Sequence, residues 1–109
     1  MEGTEKTLRI CEISPKYQFQ GPRYKELGEA SGQEFRDEYL IPWLNSLDLN
    51  VQATIDFAGT RVFSPSFLEE SFGGAIRVDS KNRERLNKVT FVNIDQIWLG
   101  KLKNYIKEA

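Results

Sequence analysis

Apolar residues along this chain keep two different rhythms. Leu8 to Ile13 alternates, with Leu8, Ile10 and Glu12 to one side and Arg9, Cys11 and Ile13 to the other, which predicts a short strand. Val51 to Phe57 is β-branched and largely uncharged, with Asp56 the one acid near its end, and predicts a strand covered on both faces. Val89 to Ile94 predicts a third strand. The other rhythm is helical. Phe35, Tyr39, Leu40, Trp43, Leu44 and Leu47 form a stripe behind the capping box Ser31-Gly32-Gln33-Glu34, and Pro42 inside it predicts a kink or an early end near Ile41. Leu68, Phe72, Ala75 and Ile76 form a second stripe, with Ser64 as N-cap and Pro65 in the first position. Ser66-Phe67-Leu68-Glu69 is a capping box too, so the start is open by two residues. Gly73-Gly74 costs that helix about 1 kcal/mol per glycine relative to alanine. Either the helix ends there or the glycines allow a close approach of the helix to the sheet. Asp95 caps a final helix carrying Ile97, Trp98, Leu102, Tyr105 and Ile106, with Lys101, Lys103 and Lys107 facing water.

The remaining stretches are less regular. Residues 1–7 are polar and expected to be disordered. From Ser14 to Ala30, Pro15, Gly21, Pro22 and Gly28 punctuate the chain while Tyr17, Phe19 and Tyr24 interleave with Lys16, Arg23 and Lys25. That mixture suits a strand at Arg23 to Leu27 hairpinned onto the first, or a stacking platform for bases. Asp79 to Lys88 reads as a solvated helix or loop, with a phosphate-binding basic patch as the alternative. Strands alternating with helices imply an α/β sheet with right-handed crossovers.

Composition narrows the chemistry. A chain of 109 residues suits one domain with its own core. The single Cys11 forms no intramolecular disulfide, reads as a small apolar filler and fits a reducing cytoplasm. No stretch is long and apolar enough for a membrane helix, and the N-terminus lacks the apolar run of a signal peptide. With no histidine, the chain lacks the usual general base, every Ser-His or Cys-His pair and most zinc sites. No cofactor or metal is expected. Paired carboxylates, Asp56 with Glu69 or Glu70, are the one catalytic constellation, and no nucleophile or phosphate loop accompanies them. The chain therefore reads as non-enzymatic. A net charge of −1 argues against coating nucleic acid through the overall field, which leaves Arg23, Tyr24, Lys25 and the Lys81 to Lys88 basics as the alternative, nucleic-acid-binding surface. The favoured working surface is the loop and helix start from Ala58 to Glu70. Arg61, Val62 and Phe63 supply an anchor there, beside Asp56, Ser64, Ser66, Glu69 and Glu70.

The stretch from Ala53 to Arg77 resembles the STAS fold of anti-sigma-factor antagonists, in which a strand, a short loop and a helix opening on Asp-Ser-Ser-Gly present a phosphorylated serine. Aligned on Ile55-Asp56-Phe57, Ser64 falls on the aspartate, Pro65 on the phosphoserine, Ser66 on the second serine and Phe67 on the glycine. Proline cannot carry the phosphate, so Ser64 or Ser66 would have to replace it, beside the like charge of Glu69 and Glu70. Gly21-Pro22-Arg23-Tyr24, Ser31-Gly32-Gln33-Glu34-Phe35-Arg36, Ser66-Phe67-Leu68-Glu69-Glu70 and Phe72-Gly73-Gly74-Ala75-Ile76-Arg77 are similar to recurring phrases of a smaller group, the bacterial STAS-like domains of unknown function. The resemblance implies a small α/β sandwich with a mixed, mostly parallel sheet and flanking helices. It also implies a signalling role with a protein partner, a histidine-kinase-like ATPase by association. Nucleotide contact stays open, and an edge strand near residue 24 leaves room for a homodimer.

Overall fold

The computed structural model describes residues 5–48 and 50–109. Three strands, β1 (Glu5–Arg9), β2 (Gln52–Asp56) and β3 (Val89–Val92), form one sheet in the order β1-β2-β3, and both pairings are parallel. Parallel neighbours need crossovers, and helices supply them: α2 (residues 32–45) links β1 to β2, and α3 (residues 65–78) links β2 to β3. A short α1 (Ile10–Ile13), α4 (Lys81–Asn87) and α5 (Gln96–Glu108) complete the helices. This is the α/β class that the alternating pattern predicts.

Several details differ from the sequence reading. The first strand forms at Glu5–Arg9 and not at Leu8 to Ile13, because its register runs Glu5 to Gln52 through Arg9 to Asp56 and β2 offers no ladder beyond. Of the residues expected to be disordered, Glu5, Lys6 and Thr7 therefore lie in the sheet, and 1–4 fall outside the described residues. No strand forms at Arg23 to Leu27. The backbone of that segment is claimed by the approach to α2: Gly21 N–H donates to the Ala30 carbonyl, while Gly32 and Gln33 N–H donate to Pro22 and Arg23. A 3₁₀ turn follows at Lys25–Leu27. Among the described residues the sheet is thus wholly parallel, without the antiparallel member or the edge near residue 24 on which a homodimer was expected to rest.

β2 is one-sided as well. Buried Ala53 and Ile55 alternate with exposed Gln52 and half-buried Thr54 and Asp56. Leu8, Ile55 and Phe91 share a row, and the Phe91 ring meets Phe72 of α3 at 5.9 Å, so that row faces the helices. Thr7, Thr54 and Thr90 share the adjacent row and face the other way. The core between sheet and helices is filled by Ile10, Tyr17, Phe35, Leu40, Leu44, Phe57, Phe67, Leu68, Phe72, Leu102 and Ile106. Each such side chain contributes about 1.5–3 kcal/mol on burial.

Both crossover helices contain a widened π stretch between α turns. In α2 it is Arg36–Leu40, and in α3 it is Glu69–Gly73. Pro42 neither ends nor breaks α2. The turn ahead of it opens so that Ile41 N–H reaches the Arg36 carbonyl, and Pro42, which has no N–H to offer, enters the next α stretch, Ile41–Asn45, near its start. In α3 the Gly73-Gly74 pair lies within the helix, and the close approach it permits is to charged side chains and not to the sheet.

Candidate functional site

β2 delivers the chain to the carboxyl end of the sheet, where open α/β folds build their sites. Asp56 closes that end. Its Oδ1 accepts from the Ala58 N–H and from Asn93 Nδ2, each at 2.8 Å, and Asn93 takes a left-handed backbone (φ 59°) at the end of β3 to reach it. The Asn93 amide, with the Ala58 N–H and the charge of Arg9 adding to it, holds the Asp56 carboxyl below the usual range. Asp56 thus caps the loop, the structural one of its two readings.

The loop then runs beside an earlier segment. Arg61 and Val62 N–H both donate to the Gln18 carbonyl, and Gln20 N–H donates to Val62, so Phe19 and Val62 form a parallel bridge. Bridged partners project to the same side of their ladder. Phe19 is 53% exposed and Val62 48%. Phe63 behaves differently from its neighbour. Its ring stacks on Trp98 at 5.4 Å and lies 5.9 Å from Phe57, so it belongs to the margin of the core and the expected exposed Val62-Phe63 pair is split. Beside Trp98, in the first turn of α5, Ile97 is 74% exposed. Arg61 is exposed too, and Lys101 lies over the Trp98 ring. Phe19 and Ile97 were absent from the sequence-predicted set. Ile97 looked like a core position of its stripe, and only tertiary pairing brings Phe19 to residue 62.

Two serines were candidates at the start of α3. Ser64 is the cap: its Oγ accepts from Phe67 N–H at 3.2 Å, and Gln20 Oε1 accepts from Ser64 N–H at 2.9 Å. Ser66 lies half-buried within the first turn. The alternative start at Ser66 is therefore not used.

Glu69 and Glu70 lie farther along α3, in its π stretch, and turn toward α2 and the segment before it. Glu70, whose side chain is 10% exposed, receives Arg36 Nη1 at 2.5 Å and Arg23 Nη1 at 3.1 Å. Glu69 receives Arg23 at 2.6 Å and Arg77 at 2.7 Å. Asp37 takes the other side of Arg36, Nε to Oδ1 at 2.7 Å. Three guanidiniums balance three carboxylates. Arg77, with Arg23 next, holds the Glu69 carboxyl below the usual range against the opposing cost of burial. The glycines make room: a Cβ on Gly74 would stand 2.9 Å from Arg36 Nη1, and one on Gly73 would stand 2.8 Å from Glu69 Oε2. All four sequence phrases named above converge on this cluster. Each phrase contributes at least one charge to this one assembly, and the bare negative charge expected at the helix start is neutralised.

The basic residues expected to contact nucleic acid are largely engaged within the protein. Arg23 serves the glutamates, Lys25 lies 3.6 Å from Glu38, and Arg85 donates to Asn45 and Asn82. Arg83 donates to the carbonyls of Ile106 and Lys107, holding the end of α5. Tyr24, Lys81 and Lys88 remain exposed. In the first capping box only half forms. Ser31 accepts from Glu34 N–H, but the Glu34 carboxylate takes the Tyr17 hydroxyl at 2.6 Å and Lys16 at 2.9 Å.

A parallel sheet with helical crossovers and a loop at the carboxyl end of its central strand defines a small α/β domain. The family model of the STAS-like domain of unknown function matches residues 31–97, and the chain belongs to that family. Gly21 to Tyr24, which supplies Arg23 to the charge cluster, lies before the matched span. Neither a curated protein nor a solved structure matches the chain. No helix among the described residues is long and apolar enough to cross a membrane.

Proposed function

We propose that the protein is a non-enzymatic signalling module that docks a partner protein at the carboxyl end of its sheet. The observation that carries this reading is the bridged pair Phe19 and Val62, two large apolar side chains held half in water by backbone hydrogen bonds. Arg61 precedes Val62 in the loop and is exposed, and Ile97 is exposed next to Trp98, on which Phe63 stacks. An apolar pair beside an arginine suits a binding hot spot, and the backbone that carries it is already ordered by its own hydrogen bonds before association. Glu70 is buried and Asp56 is occupied as a cap, so their part is to hold the loop and α3 in place. The resemblance to anti-sigma-factor antagonists supports a histidine-kinase-like ATPase as the partner. With Pro65 at the phosphoserine position, a phosphate would go to Ser66 in preference to Ser64, whose oxygen is engaged in capping.

The test is capture of the tagged protein from its host's lysate, wild type beside the Phe19→Asp/Val62→Asp double variant, with intact mass of the bait. Retention of an ATPase of the histidine-kinase type by the wild type, lost at least ~10-fold in the variant, supports the reading if the two proteins melt together. An ATPase retained equally by both, or none retained, refutes it. Phe63→Ala is the wrong probe, since Phe63 stacks on Trp98 and its loss loosens the core.

A further inference from the structure

β3 is an outer strand, and among the described residues no strand pairs with its free side. The hydrogen bond from Phe57 N–H to the Val92 carbonyl fixes which peptide groups of β3 serve β2. In a parallel ladder alternate residues direct N–H and C=O to the same neighbour, so Thr90 and Val92 face β2 while Val89 and Phe91 direct theirs outward. Among the described residues nothing bonds to those outward groups. Natural sheets blunt such edges with lysine, proline, a bulge or a covering loop. Val89-Thr90-Phe91-Val92 carries none of these residues.

Beside that edge lies a cleft of about 360 Å³ between α4 and α5. Val89, Phe91, Leu86 and Ile106 give it an apolar floor, and Arg83, Lys103 and Lys107 give it a basic rim. No acid lines it. Arg83 ties the two walls together through the Ile106 and Lys107 carbonyls, so the cleft does not depend on a ligand for its shape.

We infer that this edge receives an extended acidic segment of a partner protein, added as a fourth strand beside β3. The outward groups of Val89 and Phe91 would supply the main-chain bonds. Alternate side chains of the incoming strand would enter the cleft, and its acids would meet Lys103 and Lys107. This surface is separate from the carboxyl-end loop, and the inference stands or falls independently of the function proposed above.

The test uses fluorescein-labelled octapeptides that alternate valine or leucine with glutamate or aspartate, read by anisotropy and by amide hydrogen exchange. Expected are saturable binding, added protection of the Val89 and Phe91 amides, and at least tenfold weaker binding to the Lys103→Glu/Lys107→Glu variant, in which both changed residues are exposed. That variant should in turn prefer peptides with lysine in place of the acids. No binding by any acidic octapeptide would overturn the inference. So would binding indifferent to the charge reversal, or binding that leaves both amides unprotected. If protection of the two amides instead rises with protein concentration alone, the occupant is a second copy of the chain and the acidic-segment assignment fails.

Discussion

Glu70→Gln removes one charge and almost no volume, which makes it a sharp probe of the cluster that joins α2, α3 and the 21–25 segment. In the folded protein Glu70 is 10% and Arg36 13% exposed at the side chain, so neither charge is well hydrated. Breaking a buried pair by removing one partner costs about 3–5 kcal/mol, because the partner left behind is desolvated and uncompensated. Two relays reduce that figure here: Arg36 keeps Asp37, and Arg23 and Arg77 keep Glu69. A loss of about 2–3 kcal/mol is expected, equivalent to roughly 8–15 °C in melting temperature for a domain of this size. Circular-dichroism melts and urea unfolding of wild type and variant measure it. The same measurements on Glu70→Met, Arg36→Met and the double Arg36→Met/Glu70→Met variant close a cycle, in which the double variant should be more stable than either of its two singles. Glu38→Gln, which breaks only the exposed pair with Lys25, serves as the control and should cost under about 0.5 kcal/mol. The reasoning fails if Glu70→Gln costs no more than that control, or if the single losses simply add.

Glycine-to-alanine changes should split by sign. Gly100→Ala, in the middle of α5 with nothing near its absent Cβ, should raise stability by about 0.5–1 kcal/mol. Gly32→Ala should lower it by more than about 1 kcal/mol, since the new Cβ would stand 2.7 Å from the Phe67 carbonyl oxygen; urea midpoints decide both. Acid should weaken the fold. Arg77 holds the Glu69 carboxyl low, the Tyr17 hydroxyl does so for Glu34, and Asn93 for Asp56. Depressed folded values mean stability that is full above the unfolded values, about 4, and is lost as pH falls through the folded ones; a urea midpoint unchanged down to pH 3 would contradict this. At the alkaline end, burial first and then the Glu34 carboxylate push the Tyr17 phenol up. A raised folded value gives stability that is full below the unfolded value of about 10 and declines above it. One of the four tyrosines should therefore ionise only as the protein unfolds, and difference absorbance beside circular dichroism will show whether the two events coincide.

Local physics made the frame readable. Ser64-Pro65 announced the start of α3 because cap and first-turn preferences are properties of neighbouring residues, and Asp95 did the same for α5. What depended on distant partners was less legible. β1 stops at Arg9 only because β2 stops opposite it, and no periodicity within residues 8–13 records that limit. Arg36 looked like part of a solvated helix face because the buried glutamate it meets, Glu70, lies on another helix. The clue was that each of the four phrases carries at least one of the charges that now meet. At the candidate docking surface, Val62 was visible as an exposed loop residue. Its bridge to Phe19 pairs chain segments 43 residues apart, a contact that spacing along the chain cannot express.

The π stretches in α2 and α3 have a consequence for how the chain tolerates insertion and deletion. Each holds one residue more than an α-helix needs for the same advance, which shifts everything after it by about 100° around the axis. The front of α2 is phased to the charge cluster through Arg36, and the rear is phased to the core through Leu40 and Leu44. Removing one residue from 36–40 would restore a regular helix, yet no single rotation would then satisfy both partners. The same conflict arises in α3 between Glu69 and Glu70 ahead and Ala75 and Ile76 behind. Helicity would survive such a deletion; the opposition of arginine and glutamate across the two helices would not.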